Sequence, residues 1–92
     1  MATTQVELVT PEGALYSGQA DMVACRTAGG DIAFLANHMP YLGALEAGAL
    51  RIVHPETDPG DELRFDVHGG FVEVNGNRVI VLCDAAEPAG PA

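Results

Sequence analysis

Short apolar runs, cut by turn residues before any could become a helix, recur along almost the whole chain. Val6 and Leu8 alternate with Gln5 and Glu7, and Leu63, Phe65 and Val67 alternate with Arg64 and Asp66. A period of two puts successive side chains on opposite sides of an extended strand, so one side can be buried while the other stays wet. The interruptions are turn chemistry: Pro11-Glu12-Gly13, Ala28-Gly29-Gly30-Asp31, Glu46-Ala47-Gly48 and Asn75-Gly76-Asn77. Asn-Gly is the strongest of these, because both residues tolerate the positive φ that a tight hairpin needs. No segment sustains a helical period.

Strands are therefore expected over residues 5–10, 14–17, 21–27, 32–35, 41–45, 49–54, 63–67, 71–74 and 78–83. Gly18 is expected to stop the second strand. His68-Gly69-Gly70 permits a kink or bulge, and Ala36-Asn37-His38-Met39-Pro40 reads as an irregular corner. Leu63, Phe65 and Val67 should point inward. Strands this short and this regularly spaced predict an all-β fold, a β-sandwich of about eight to ten short strands in two sheets. With 92 residues there is room for one modest core. We place one domain at residues 1–87 and a flexible tail at 88–92, with fraying expected from Glu87 onward.

Composition removes several classes of function. Thirteen acidic residues face four basic ones, a formal charge of −9. So acidic a body repels nucleic-acid phosphates and anionic lipid headgroups, so neither nucleic acid nor direct lipid insertion is expected. The basic residues are Arg26, Arg51, Arg64 and Arg78, and there is no lysine. Small β-sandwich carriers hold biotin or lipoate on a lysine, so that role is closed. No run approaches the ~20 apolar residues of a membrane span, and the N-terminus has neither a basic region nor an apolar signal core. Those absences point to the cytosol.

No catalytic or metal constellation is legible. Ser17, the only serine, reads as a turn residue without a histidine–aspartate partnership. His38, His54 and His68 share no metal-ligand spacing. Asp58, Asp61 and Glu62 match no calcium loop and read as a solvated acidic surface loop. Gly29-Gly30 and Gly69-Gly70 lack a P-loop lysine or a following helix, so neither reads as a phosphate cradle. Cys25 and Cys83 lie far apart, form no CxxC pair and read as reduced core thiols. No cofactor and no metal are expected.

Several stretches nevertheless resemble a known family. Val6-Glu7-Leu8-Val9-Thr10-Pro11-Glu12-Gly13, followed by Leu15-Tyr16-Ser17-Gly18, is similar to the first hairpin of the epsilon subunit of F-type ATP synthases. The stretch from Gly30 through Asp31, Ile32, Phe34, Leu35, His38 and Pro40 to Leu42 resembles that family's G-(E/D)-(L/I)-G-(I/V)-L-P-x-H-x-P-L segment. Gly48-Ala49-Leu50-Arg51-Ile52, Gly69-Gly70-Phe71-Val72-Glu73-Val74 and Val79-Ile80-Val81-Leu82-Cys83-Asp84 match three further family segments in order. Ala33 stands where glycine is usual and Ala36 where proline is usual.

The resemblance covers roughly residues 5–87 and implies the family's N-terminal β-sandwich domain. It implies a non-catalytic subunit of the central stalk. Such a subunit packs on the gamma subunit and on the ring of c subunits, at the cytoplasmic face of the membrane, and couples proton-driven rotation to ATP synthesis. By position, the ring-facing tip falls on Ala28, Gly29, Gly30 and Asp31. The gamma-facing side falls on Thr10, His38 and Gly43, with Met39, Pro40, Tyr41 and Leu42 as neighbours. The family's two-helix C-terminal hairpin has no counterpart here, so ATP binding or inhibition by such helices is not expected of these residues. The alternative reading is a free-standing β-sandwich adaptor for another protein. A small β-scaffold hydrolase or isomerase would need a catalytic cluster that the residues do not offer.

Overall fold

The computed structural model describes residues 3–37, 39–53 and 62–89. They form ten strands and no helix: β1 (Thr4–Thr10), β2 (Gly13–Ala20), β3 (Met22–Thr27), β4 (Gly30–Leu35), β5 (Tyr41–Leu45), β6 (Gly48–Val53), β7 (Leu63–Val67), β8 (Gly70–Asn75), β9 (Arg78–Cys83) and β10 (Ala86–Pro88). The strands pair in the order β10-β7-β6-β3 and β5-β8-β9-β1-β2, with β4 on the other edge of β3. A single residue pair, Thr27 with Leu45, links the two halves. The architecture is thus two five-stranded sheets joined at one corner, as a β-sandwich requires.

Alternation builds the core. Val23, Cys25, Phe34, Leu50, Ile52, Phe65 and Val67 come from one sheet and Val6, Leu8, Leu45, Val72, Val74, Val79, Val81 and Cys83 from the other, and all are buried. Both cysteines are free. Burial pushes each thiol up to about 11. For Cys25 the proximity of Cys83 and then Asp31 adds to that; for Cys83 it is Asp84.

Three details differ from the sequence reading. β2 runs through Gly18 to Ala20, because Gly18 is not a terminator: the Tyr16 ring lies over it, its hydroxyl 3.4 Å from where a Cβ would stand. Leu63 is partly exposed at the start of β7, while Phe65 and Val67 are buried as expected. Glu87 and Pro88, expected to fray, pair with Asp66 and Phe65 in β10. The open edge of β7 offers backbone groups that would otherwise have no ladder partner, which is enough to order a short strand.

The register sorts the connections into two ends. β1 finishes at Thr10, paired with Gly13; Leu82 pairs with Val9, Gly70 with Cys83, Leu45 with Gly70 and Thr27 with Leu45. Gly48 and Ala86 both pair with Val67. Turns 11–12, 28–29, 46–47, 68–69 and 84–85 therefore gather at one end, called the upper end below. Asp21, Leu35 and Tyr41, with turn 76–77, lie at the lower end.

Candidate functional site

Two upper-end hairpins use one device. Thr27 pairs with Gly30 across the turn Ala28-Gly29; its hydroxyl donates to the Gly30 carbonyl at 3.0 Å and accepts from the Gly29 N–H at 3.2 Å. Thr10 pairs with Gly13 across Pro11-Glu12 in the same way, with both bonds at 3.2 Å. Gly30 and Gly13 have φ of 118° and 129°, a region closed to most side chains. Threonine and glycine at these spacings thus make two short, stiff tips.

The first tip carries the residues read as ring-facing. Ala28, Gly29, Gly30 and Asp31 are all exposed and contiguous at the upper end. Asp31 lies opposite Arg26, whose Nε donates to its carboxylate at 3.0 Å. This hydrogen bond, with the charge of Asp31, holds the guanidinium pKa above its ordinary value. Glu12, Glu46 and Asp84, all exposed, belong to the same end. The tip is therefore polar, acidic and rigid.

The residues read as gamma-facing do not share one patch. Thr10 sits at the upper end of β1, its hydroxyl committed to the turn. Met39 and Pro40 lead into β5 from the lower end and are exposed. Leu42 points outward from β5 and is 70% exposed. Tyr41 turns the other way, its ring 5.3 Å from that of Phe34, and Gly43 lies beneath the Tyr41 ring. His38 lies outside the described residues.

A surface that the sequence reading missed spans the space between Thr10 and Gly43. On the outer face of the second sheet, Ala14, Val9, Leu82, Phe71 and Ala44 stand side by side, each paired with the next. Phe71 is 58% and Leu82 52% exposed. Four interstrand gaps of ~4.8 Å make this an apolar band of roughly 19 Å. The next row down reads Ser17, Glu7, Ile80, Glu73 and Leu42. The signal was present in β9: Val79-Ile80-Val81-Leu82-Cys83 is apolar on both faces, which a strand with one wet side does not need.

The outer face of the first sheet is different. Arg51 and Arg64 lie directly opposite each other, and Glu62 sits between them, 3.3 Å from each guanidinium. Glu62 was expected in a solvated loop; instead its side chain is 12% exposed. Its carboxyl is held below its usual range by its own backbone hydrogen bond first, then by the two arginines. Two like charges across a strand pair need an anion between them. Asp58 and Asp61 lie outside the described residues. His68 is exposed, with Nε2 2.8 Å from a Glu87 carboxylate oxygen. Among the described residues no group of three or more His, Cys, Asp and Glu side chains is arranged to hold a metal.

Fold and surfaces together define a small β-sandwich module that exposes a stiff acidic tip and an apolar flank. Residues 3–89 match the family model described as the beta-sandwich domain of the ATP synthase delta/epsilon chain, and the chain belongs to that family. It is 42% identical over 90 residues to the ATP synthase epsilon chain of Brevibacillus brevis, covering 98% of this chain and 66% of that one. It thus spans a little under two thirds of that relative's length. The same fold occurs in a chain of the Euglena gracilis mitochondrial ATP synthase, solved as OSCP/F1/c-ring. There the TM-score is 0.85 at 22% identity, over 96% of this chain and 54% of that one. A chain from the Tetrahymena thermophila mitochondrial ATP synthase central stalk and c-ring gives a TM-score of 0.77 at 19% identity, over 94% and 66%.

Proposed function

We propose that this chain is a non-catalytic module of the central stalk of an F-type ATP synthase. It seats its upper tip on the c-ring and its flank on the gamma subunit, and so couples proton-driven rotation to ATP synthesis. It works as a peripheral part of the complex at the cytoplasmic face of the membrane, without entering the lipid. The carrying observation is the disposition of two unlike surfaces on one body. An acidic tip at the end suits the polar loops of a ring, and an apolar flank at the side suits a shaft. Torque passes between them only if the body does not deform. Side chains from both sheets meet in one close-packed core, and such interiors yield little. Family membership and the assemblies named for the Euglena and Tetrahymena chains support this reading.

In this reading Ala28, Gly29, Gly30 and Asp31 meet the ring. Thr10, Leu42 and the segment from His38 to Gly43 border the gamma contact, with the apolar band as its centre. The test is a synthase assembled from its other subunits with and without this chain. Proton-driven ATP synthesis and retention of the ring on the stalk should both fall without it. Full coupling in its absence, or failure to co-purify with gamma, would leave the adaptor reading in its place.

A further inference from the structure

The ion pairs of this protein are unevenly placed. Those among the described residues are Arg26–Asp31, Arg51–Glu62, Arg64–Glu62 and His68–Glu87. All four lie on the first sheet or the connections at its ends. On the outer face of the second sheet, Glu7 and Glu73 flank Ile80 in one row, directly below the apolar band, and neither forms an ion pair with a described residue. Among the described residues the Glu7 side chain accepts a long contact, 3.3 Å, from the Gln5 side-chain amide. Arg78, the one arginine of that face among the described residues, stands in the row below, between Gln5 and Asn75.

We infer that Glu7 and Glu73 set the polarity of the gamma contact by selecting a partner surface with an apolar stripe edged by lysine or arginine. This rests on the reading above that a stalk partner covers the second sheet. The band supplies burial but little discrimination, since any apolar stripe would satisfy it. A partner that covers Val9, Leu82, Phe71 and Ala44 comes close to both carboxylates and reduces their access to water. An acidic or neutral edge would leave them without a compensating charge, which disfavours wrong partners. A basic edge pairs with both and steers the encounter of an otherwise acidic protein.

The test uses the full chain and the purified gamma subunit of the same synthase, titrated by calorimetry at about 0.1 M and about 1 M salt, where the Debye length falls from about 10 Å to about 3 Å. Glu7→Gln with Glu73→Gln should lower affinity about tenfold at low salt, as loss of two modest ion pairs predicts, and should flatten the salt dependence. Phe71→Ser should lower affinity at both salt concentrations alike. Asp66→Asn with Glu87→Gln removes the same net charge from the first sheet, away from this face, and should change little. Wild-type binding with unchanged affinity and salt slope in the Glu7/Glu73 variant overturns this inference alone. An equal loss in the Asp66/Glu87 variant overturns it as well, because net charge would then be the cause. No binding of gamma by the wild-type chain overturns the stalk reading and this inference with it.

Discussion

The Tyr41 hydroxyl lies 2.5 Å from the point that a Cβ on Gly43 would occupy, and two ring carbons of Tyr41 lie 2.8 Å from it. The ring folds along its own strand, over the glycine two residues on, and packs against Phe34. Tyr16 and Gly18 repeat the relation on β2 with more room, and the Tyr16 hydroxyl continues to the Gln19 carbonyl at 2.8 Å. β5 and β2 are the two ends of the second sheet. An aromatic ring over an edge glycine restores the packing that glycine lacks and shields backbone that another chain could pair with.

Gly43→Ala should therefore destabilise the fold by about 1–3 kcal/mol, the usual cost of overpacking. Gly18→Ala should cost less, because its nearest neighbour is at 3.4 Å. A double-mutant cycle identifies the cause: in a Tyr41→Ala background, Gly43→Ala should become nearly neutral in urea unfolding. Equal costs in both backgrounds would show that the ring is not what the methyl meets.

Thr27 and Thr10 make the same pair of hydrogen bonds, but Thr27 is 3% exposed and adjoins the corner of the sandwich. Thr27→Val keeps the shape and removes both bonds made by a buried hydroxyl. Its unfolding free energy should fall by about 1–3 kcal/mol. Thr10→Val, at a wetter turn, should cost no more than about 1 kcal/mol, since water can replace the hydroxyl. Denaturant midpoints of the two variants check the ranking.

Asp31→Arg tests the tip. The side chain is exposed and its pair with Arg26 is a surface pair, so the circular dichroism spectrum and melting midpoint should stay near wild type. The exchange places a second guanidinium opposite Arg26 and replaces a negative charge of the tip with a positive one. Proton-driven ATP synthesis by membranes carrying the variant should fall. Wild-type synthesis rates would remove Asp31 from the ring contact.

The buried thiols set an alkaline limit. Unfolded, each cysteine titrates near 9; folded, each is pushed up to about 11. Between those values the unfolded chain has lost protons that the folded chain still holds, so stability declines as pH rises. The contribution is complete below about pH 9 and disappears by about pH 11. Urea midpoints across that window should fall more steeply for the wild type than for Cys25→Ala with Cys83→Ala, whatever their absolute values. Parallel slopes would exclude the thiols as the cause.

Much of this molecule is readable locally. β5, β7 and β9 fall where alternation and Asn-Gly place them, because a strand's period and a turn's φ depend on neighbours in sequence. The tip at residues 28–31 is legible for the same reason. Gly18 misleads, since its role depends on where the Tyr16 ring goes. Glu62 misleads because Arg51 and Arg64 are brought opposite each other only by the pairing of β6 with β7. β10 escapes notice because three residues carry no pattern of their own.

The order of residues alone settled nine of the ten strands and the turn residues between most of them. Only the folded structure decided that Val9, Leu82, Phe71 and Ala44 form one band, that Glu7 and Glu73 stand beneath it without an ion pair among the described residues, and that the acidic tip lies at the upper end. The reason is register: a slip of one residue between distant strands would turn every side chain to the opposite face, and only the packing of the whole core fixes it.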